Sequence, residues 1–199
     1  MLKPWQFLDQ TLLQQTRIFR LFAERWRSPR TQAEHVFSNV DSPDWVNVVA
    51  LDEHGRMLLI RQFRFGTRAF TLEVPGGMVD PGEEPRVAAV RELREETGYV
   101  GSSVIALGSA EPNPAIFNNR VHMFLIEGCV RSGELVLDAG EDIEVLPTPV
   151  EEVFELLHTG EIGHALVAVA LQRFDLYRRG LLRLSASTLP NAAKLGTKP

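Results

Sequence analysis

The stretch Gly77-Met78-Val79-Asp80-Pro81-Gly82-Glu83, followed after seven residues by Arg91-Glu92-Leu93-Arg94-Glu95-Glu96-Thr97-Gly98, organises everything around it. Asp80-Pro81-Gly82 reads as a turn. Pro85 to Thr97 reads as a charged helix with Val87, Val90 and Leu93 recurring at helical spacing until Gly98 stops it. On that helix Glu92 and Glu96 stand four apart and project from one face, with Glu95 on their flank. Like charges at this spacing repel, so the cluster asks for a compensating cation. Two readings satisfy it: a solvated, salt-bridged face partly neutralised by Arg91 and Arg94, or carboxylate oxygens gathered for a hard divalent ion such as Mg²⁺.

Strand signals lie on both sides. Trp45 to Leu51 and Met57 to Phe63 are apolar, β-branched runs about the turn Asp52-Glu53-His54-Gly55, which predicts a buried hairpin. Phe70 to Val74 is a short strand ending at Pro75-Gly76-Gly77. Beyond the helix, Val104 to Ser109, Val121 to Ile126 and Ile143 to Leu146 read as strands, and Val150 to Leu157 and His164 to Arg178 as closing helices with apolar stripes. Near the start, a helix and a hairpin both fit Arg17 to Val40, and the antiparallel β-hairpin is favoured because aromatic and β-branched residues flank the turn signal Ser28-Pro29-Arg30. The expected class is α/β in layers. The expected divisions are an N-terminal hairpin segment over 1–41, the main domain over 42–182 and a flexible tail over 183–199. Ser185 to Pro199 is small, polar and proline-bearing and should carry no chemistry.

Composition bounds the function classes. A chain of 199 residues with 44% hydrophobic and 24% charged residues suits one globular domain. Its 21 Lys+Arg against 26 Asp+Glu leave a net charge of −5, which argues against coating nucleic acid or an anionic membrane. The single cysteine, Cys129, excludes an internal disulfide framework and offers no zinc-site spacing. With no leader-like start and nothing near the ~18 uninterrupted apolar residues of a membrane span, the expectation is a cytoplasmic protein.

The string Gly-x5-Glu-x7-Arg-Glu-Leu-x-Glu-Glu-x-Gly resembles the box of the Nudix hydrolase family at every fixed position. At ordinary residue usage it would arise by chance on the order of once per million chains of this length. One slot departs mildly, since Tyr99 stands where an aliphatic residue is usual. The resemblance implies an α/β/α sandwich with a mixed sheet and hydrolysis of a nucleoside diphosphate joined to another group, using Mg²⁺ or Mn²⁺. It assigns Glu92, Glu95 and Glu96 as metal ligands with the main-chain carbonyl of Gly76, counts Glu95 among the catalytic residues, and pairs Arg91 with Glu83 as a structural brace.

The surroundings narrow the branch. Gln62-Phe63-Arg64 ahead of Leu72-Glu73-Val74-Pro75-Gly76-Gly77, Pro114 beyond the box, and Gly140-Glu141-Asp142-Ile143-Glu144-Val145 resemble ADP-ribose pyrophosphatases. That likeness implies that Arg64 contacts the substrate's phosphates or adjoining sugar, that Glu73 lies in the site, and that the general base comes from a mobile acidic loop. There Glu141 is the first choice and Asp142 and Glu144 remain open. Glu111 to Arg120 departs from the branch's Ser-Pro-Gly pattern, which leaves the second sugar open. Asn118, Asn119 and Arg120 can bond sugar hydroxyls or phosphate, Asn118 and Arg120 being taken as substrate-binding, while Asn-Asn equally makes a turn. His122 is expected to be structural. The N-terminal segment, with Arg17, Arg20, Arg25 and Arg27, resembles the part through which such enzymes pair as homodimers, with Trp5, Trp26 or Trp45 as stacking candidates. The expected activity is metal-dependent cleavage of ADP-ribose or a related nucleoside diphosphate sugar, with no nucleic-acid or membrane partner. The alternatives are a non-catalytic Nudix-fold ligand sensor or a pyrophosphohydrolase acting on another nucleotide or an RNA cap.

Overall fold

The computed structural model describes residues 2–137 and 139–184. Of the expected tail over 183–199, residues 185–199 lie outside the described residues. The chain divides into two units, 1–43 with 111–120 and 44–110 with 121–199.

In the first unit, strands β1 (Gln6–Gln15), β2 (Arg20–Arg27) and β3 (Glu34–Asp41) form an antiparallel sheet in chain order. The expected hairpin is its β2–β3 half, in register from Arg20↔Asp41 to Arg27↔Glu34. The added strand β1 is a correction. Its Leu12-Leu13 pair sits among Gln, Thr and Asp without a period of two, so no alternation announced it. Segment 111–120 joins this unit through Val40 N–H to Ile116 O at 2.7 Å and Asn118 Nδ2 to Asp41 Oδ1 at 2.7 Å.

The second unit holds β4 (Trp45–Asp52), β5 (Arg56–Arg64), β6 (Ala69–Glu73), helix α1 (Pro85–Thr97), β7 (Tyr99–Val100), β8 (Ser103–Ala110), β9 (Val121–Arg131), β10 (Ile143–Pro149), α2 (Val150–Thr159) and α3 (Ala165–Arg178). Its sheet runs β10-β5-β4-β9-β7, with β6 on β5 and β8 on β9, and it is mixed because β4 and β9 pair in parallel. Alternation along the strands splits the core in two. Val46, Val48, Ala50, Phe124 and Ile126 face Ala88, Ala89 and Leu93 of α1. Val49, Leu59, Met123 and Leu125 face Val153, Phe154, Val167, Leu171 and Phe174 of α2 and α3. Each fully buried large side chain here contributes roughly 1.5–3 kcal/mol. The result is the expected α/β/α sandwich. No helix among the described residues is long and apolar enough to cross a membrane.

Two local readings are corrected. The hairpin at Asp52–Gly55 closes with Leu51↔Met57, after which β4 and β5 splay apart. The edge that β4 thereby frees is taken by the Gly-Gly loop, as Val48 N–H donates to Pro75 O at 2.8 Å and Val46 N–H to Gly77 O at 2.9 Å. On α1 the buried residues are Ala88, Ala89, Leu93, Glu96 and Thr97, whereas Val87 and Val90 are exposed.

Candidate active site

The splayed edge of β4 sets the site's floor. Gly76 lies so close to it that an added Cβ would stand 2.1 Å from Val46 O, and one on Gly77 would stand 2.4 Å from Glu92 Oε1. Only glycine lets the loop pass between strand and helix. Across it, Gly76 N–H donates to Glu96 Oε2 at 2.8 Å.

Helix α1 supplies the acids. Pro85 opens it with a preset φ, and Gly98 at φ 73° closes it, its N–H donating to Arg94 O. Glu96 is 3% exposed. Burial pushes its carboxyl up to about 8; the charges of Glu92 and Glu141 add to this, while the Gly76 N–H and Arg64 oppose it. Glu92 is raised in the same direction, first by burial and then by Glu95 and Glu141, against the pull of Arg91. Arg91 is the local counter-cation. Its Nε and Nη2 grip Glu83 at 3.0 and 2.9 Å, Nη1 meets Glu92 Oε1 at 2.9 Å and Glu95 Oε2 at 3.0 Å, and Nη2 also reaches Met78 O at 2.9 Å.

The sheet supplies a second charged pair. Arg64 at the end of β5 forks onto Glu73 of β6, Nε to Oε1 and Nη2 to Oε2, both at 2.7 Å. Thr71 Oγ1 donates to Glu73 Oε1 at 2.6 Å. Burial pushes the Glu73 carboxyl up, but Arg64, Thr71 and the nearby His164 outweigh it and hold it below the ordinary value. Arg64 is raised by its bonds to Glu73, with smaller help from Glu96 and Glu141. The charge of Glu141 acts on Arg64, Glu92 and Glu96, and that of Glu96 on Arg64. Glu144, on β10, instead lies 3.7 Å from Arg61.

Other sequence candidates have local partners. Asn118 bonds Asp41 and the Ser42 N–H, Asn119 Nδ2 donates to Pro43 O at 2.8 Å, and Arg120 lies 3.4 Å from Glu111, all within the first unit. Trp5 packs edge-on against His35 and Phe37, and Trp26 against Phe7. His122, buried on β9, places Nε2 2.9 Å from Asp44. Sequence reading missed Thr71 and His164. Thr71 shares a strand face with Glu73 two residues on, a signal that was present; His164 precedes a helix and has no such local mark.

A family model for the NUDIX domain matches residues 41–169. The chain belongs to the Nudix family. Among its relatives, an ADP-ribose pyrophosphatase of Bacillus subtilis is 33% identical over 69% of this chain and 75% of its own length. A CMP-5'-(N-acetyl-N-hydroxy-3-aminopropyl)phosphonate hydrolase of Streptomyces rubellomurinus is 34% identical over 69% of this chain and 66% of its own. A crystal structure of an ADP compounds hydrolase shares the Nudix fold with a TM-score of 0.80 at 21% identity, covering 92% of this chain and 99% of that one.

For a divalent ion, the donor chemistry fits. Carboxylates of Glu92, Glu95 and Glu96 are hard oxygen donors crowded on one helix flank, and two of them are raised by burial and mutual repulsion, which a cation would relieve. As they stand, with Arg91 between Glu92 and Glu95, no three acidic, His or Cys side chains among the described residues converge on one point.

Proposed function

We propose that this Nudix hydrolase cleaves the diphosphate of ADP-ribose or a related nucleoside diphosphate sugar, releasing a nucleoside monophosphate and a sugar phosphate. The observation that carries the reading is the placing of the box acids of α1 against the Gly-Gly loop, where Gly76 N–H donates to the buried Glu96 at 2.8 Å. Water attacks one phosphorus, the P–O–P bridge breaks, and the leaving phosphate departs with the bridging oxygen. Mg²⁺ or Mn²⁺ held by Glu92, Glu95, Glu96 and the Gly76 carbonyl would neutralise the diphosphate and lower the pKa of the attacking water.

The chain's own groups divide the remaining work. Extended backbone turns the N–H and C=O of one residue to the same side. Gly76 N–H bonds Glu96, and the neighbouring carbonyls of Pro75 and Gly77 are spent on β4, which supports a Gly76 carbonyl turned towards the acids. Arg64, whose Nε and Nη2 hold Glu73, would meet a phosphate oxygen through Nη1. Glu141, two residues ahead of β10, is the loop acid to which the resemblance gives the part of general base, taking the proton from water. Asn118 and Arg120 remain candidates for the sugar side. Two relatives at 33% and 34% identity carry names with different nucleosides, so the anhydride class follows from the family more firmly than the sugar does.

Purified protein is assayed against ADP-ribose and a panel of nucleoside diphosphate sugars, in Mg²⁺, in Mn²⁺ and in EDTA. Turnover of at least one, abolished by EDTA, is expected. Failure to cleave any of them in either metal overturns the reading.

A further inference from the structure

On one face of the β5–β6 hairpin, Arg64 stands opposite Ala69, Gln62 opposite Thr71 and Ile60 opposite Glu73. Side chains two apart on a strand share a face. Arg64 therefore runs along the hairpin, past the Gln62–Thr71 pair, to reach Glu73 with Nε and Nη2, both at 2.7 Å. A planar fork on a planar carboxylate gives the two groups one common plane. It leaves Nη1 as the guanidinium nitrogen that holds no hydrogen bond among the described residues. Where Nη1 points thus follows the plane of the Glu73 carboxylate, and that plane turns about a terminal torsion that is soft in itself. One further side chain bonds this carboxylate among the described residues. Thr71 Oγ1 donates to Glu73 Oε1 at 2.6 Å, the length of a charge-assisted bond, and lies 3.4 Å from its other acceptor, Gln62 O. Thr71 is β-branched and stiff about χ1, so its hydroxyl is a fixed point for the softer glutamate. Glu73 is 3% exposed, which leaves water little access to compete for it.

We infer that Thr71 is a positioning residue for the substrate: its hydroxyl sets the plane of the Glu73 carboxylate and, through it, aims Nη1 of Arg64 at the diphosphate. The inference rests on the reading of Arg64 as a phosphate contact. Without the hydroxyl, the Arg64–Glu73 fork keeps its two bonds but turns as a unit about the glutamate's last torsion, so Nη1 meets a phosphate oxygen in a smaller part of the population. Binding of the substrate weakens, while the chemistry at phosphorus, which falls to the acids of α1, is changed less. A threonine that only supports the strand would behave otherwise. Its loss would lower stability without regard to which residue stands at position 64.

Thr71→Val keeps the shape of the side chain and removes the donor, whereas Thr71→Ser keeps the donor. With ADP-ribose in Mg²⁺, Thr71→Val is expected to raise KM by about 3- to 10-fold, the range of one hydrogen bond, with a smaller change in kcat, and Thr71→Ser to recover most of that rise. In the Arg64→Lys background, whose own KM is raised, Thr71→Val should add nothing further, because the hydroxyl acts through the guanidinium. A Thr71→Val enzyme with wild-type KM, or an equal rise in both backgrounds, overturns the role of Thr71 and leaves the reading of Arg64 standing. An Arg64→Lys enzyme with wild-type KM overturns that reading instead, and with it the purpose given to Thr71. Nuclear magnetic resonance of the arginine side chains decides the matter without substrate. The Arg64 Nε–H, assigned by its absence in Arg64→Lys, should exchange with water more slowly than that of the exposed Arg68 in the wild-type chain, and faster in Thr71→Val than in wild type. Thr71→Ala takes the place of Thr71→Val should the valine variant not fold. An Arg64 Nε–H that exchanges as fast as that of Arg68 in wild type, or at the same rate with and without the hydroxyl, overturns the inference.

Discussion

Arg91 joins four groups that differ in purpose. It ties Glu83 of the loop to Glu92 and Glu95 of the helix and to the Met78 carbonyl, so one planar guanidinium links the loop's fold to the charge of the site. A lysine ammonium is a point charge and cannot span these acceptors. Arg91→Lys is therefore expected to lower stability by about 1–3 kcal/mol in urea unfolding; a midpoint equal to wild type would show that the brace is not needed. Glu96 makes the opposite case, a carboxyl kept from ionising. Its folded pKa of about 8 lies well above the unfolded value, so the stability it confers is full below the unfolded pKa and is lost as pH rises through about 8. A metal held by Glu96, as proposed, would displace that proton. Titrating Mg²⁺ into the metal-free protein at pH 7, in two buffers of different ionisation enthalpy, is expected to show proton release and affinity that strengthens towards pH 8. Binding without proton release at pH 7 would place the ion elsewhere.

At the scale of elements, helix α1 separates what periodicity can tell from what it cannot. Val87, Val90 and Leu93 recur at helical spacing, yet the face against the sheet is Ala88, Ala89 and Leu93. Small residues let the helix approach the sheet closely, and the Glu92–Glu96 face is then carried over the Gly-Gly loop. Ala89→Leu should accordingly cost about 1–3 kcal/mol by overpacking, while Val90→Ser should stay within roughly 0.5 kcal/mol. Urea unfolding of both variants checks this, and a larger loss for Val90→Ser would restore the valine stripe. The ends of α1 were legible because Pro85 and Gly98 act through local backbone geometry. The box acids were legible because their chemistry sits in one contiguous motif. The face of α1 and the splaying of β4 from β5 were not, since each depends on chain brought from far away in sequence. Strand β1 was missed for a related reason: its pairing with β2 needs no apolar alternation when neither face is buried within the unit.

That last property leads to the whole molecule. Among the described residues of the first unit only Ser28 and Asn119 are buried, and neither is apolar. A three-stranded sheet needs a covered apolar face to persist. Here Trp5 and Phe37 are exposed, with Phe37 packed edge-on to Trp5 and stacked on His35 on one face of the sheet. Such a surface is suited to a second copy of itself, the homodimer that the family resemblance implies. Light scattering at micromolar concentration is expected to give twice the chain mass. Phe37→Ser removes about 1.5–3 kcal/mol of apolar burial from each copy, and so should weaken the dimer by at least tenfold. The monomeric Phe37→Ser chain should keep its far-ultraviolet signal from the seven-stranded unit, because Phe37 is not part of either core cluster there. Wild-type protein that is monomeric across the micromolar range would remove the need for a covering partner, and a Phe37→Ser dimer of unchanged affinity would move the interface off this sheet.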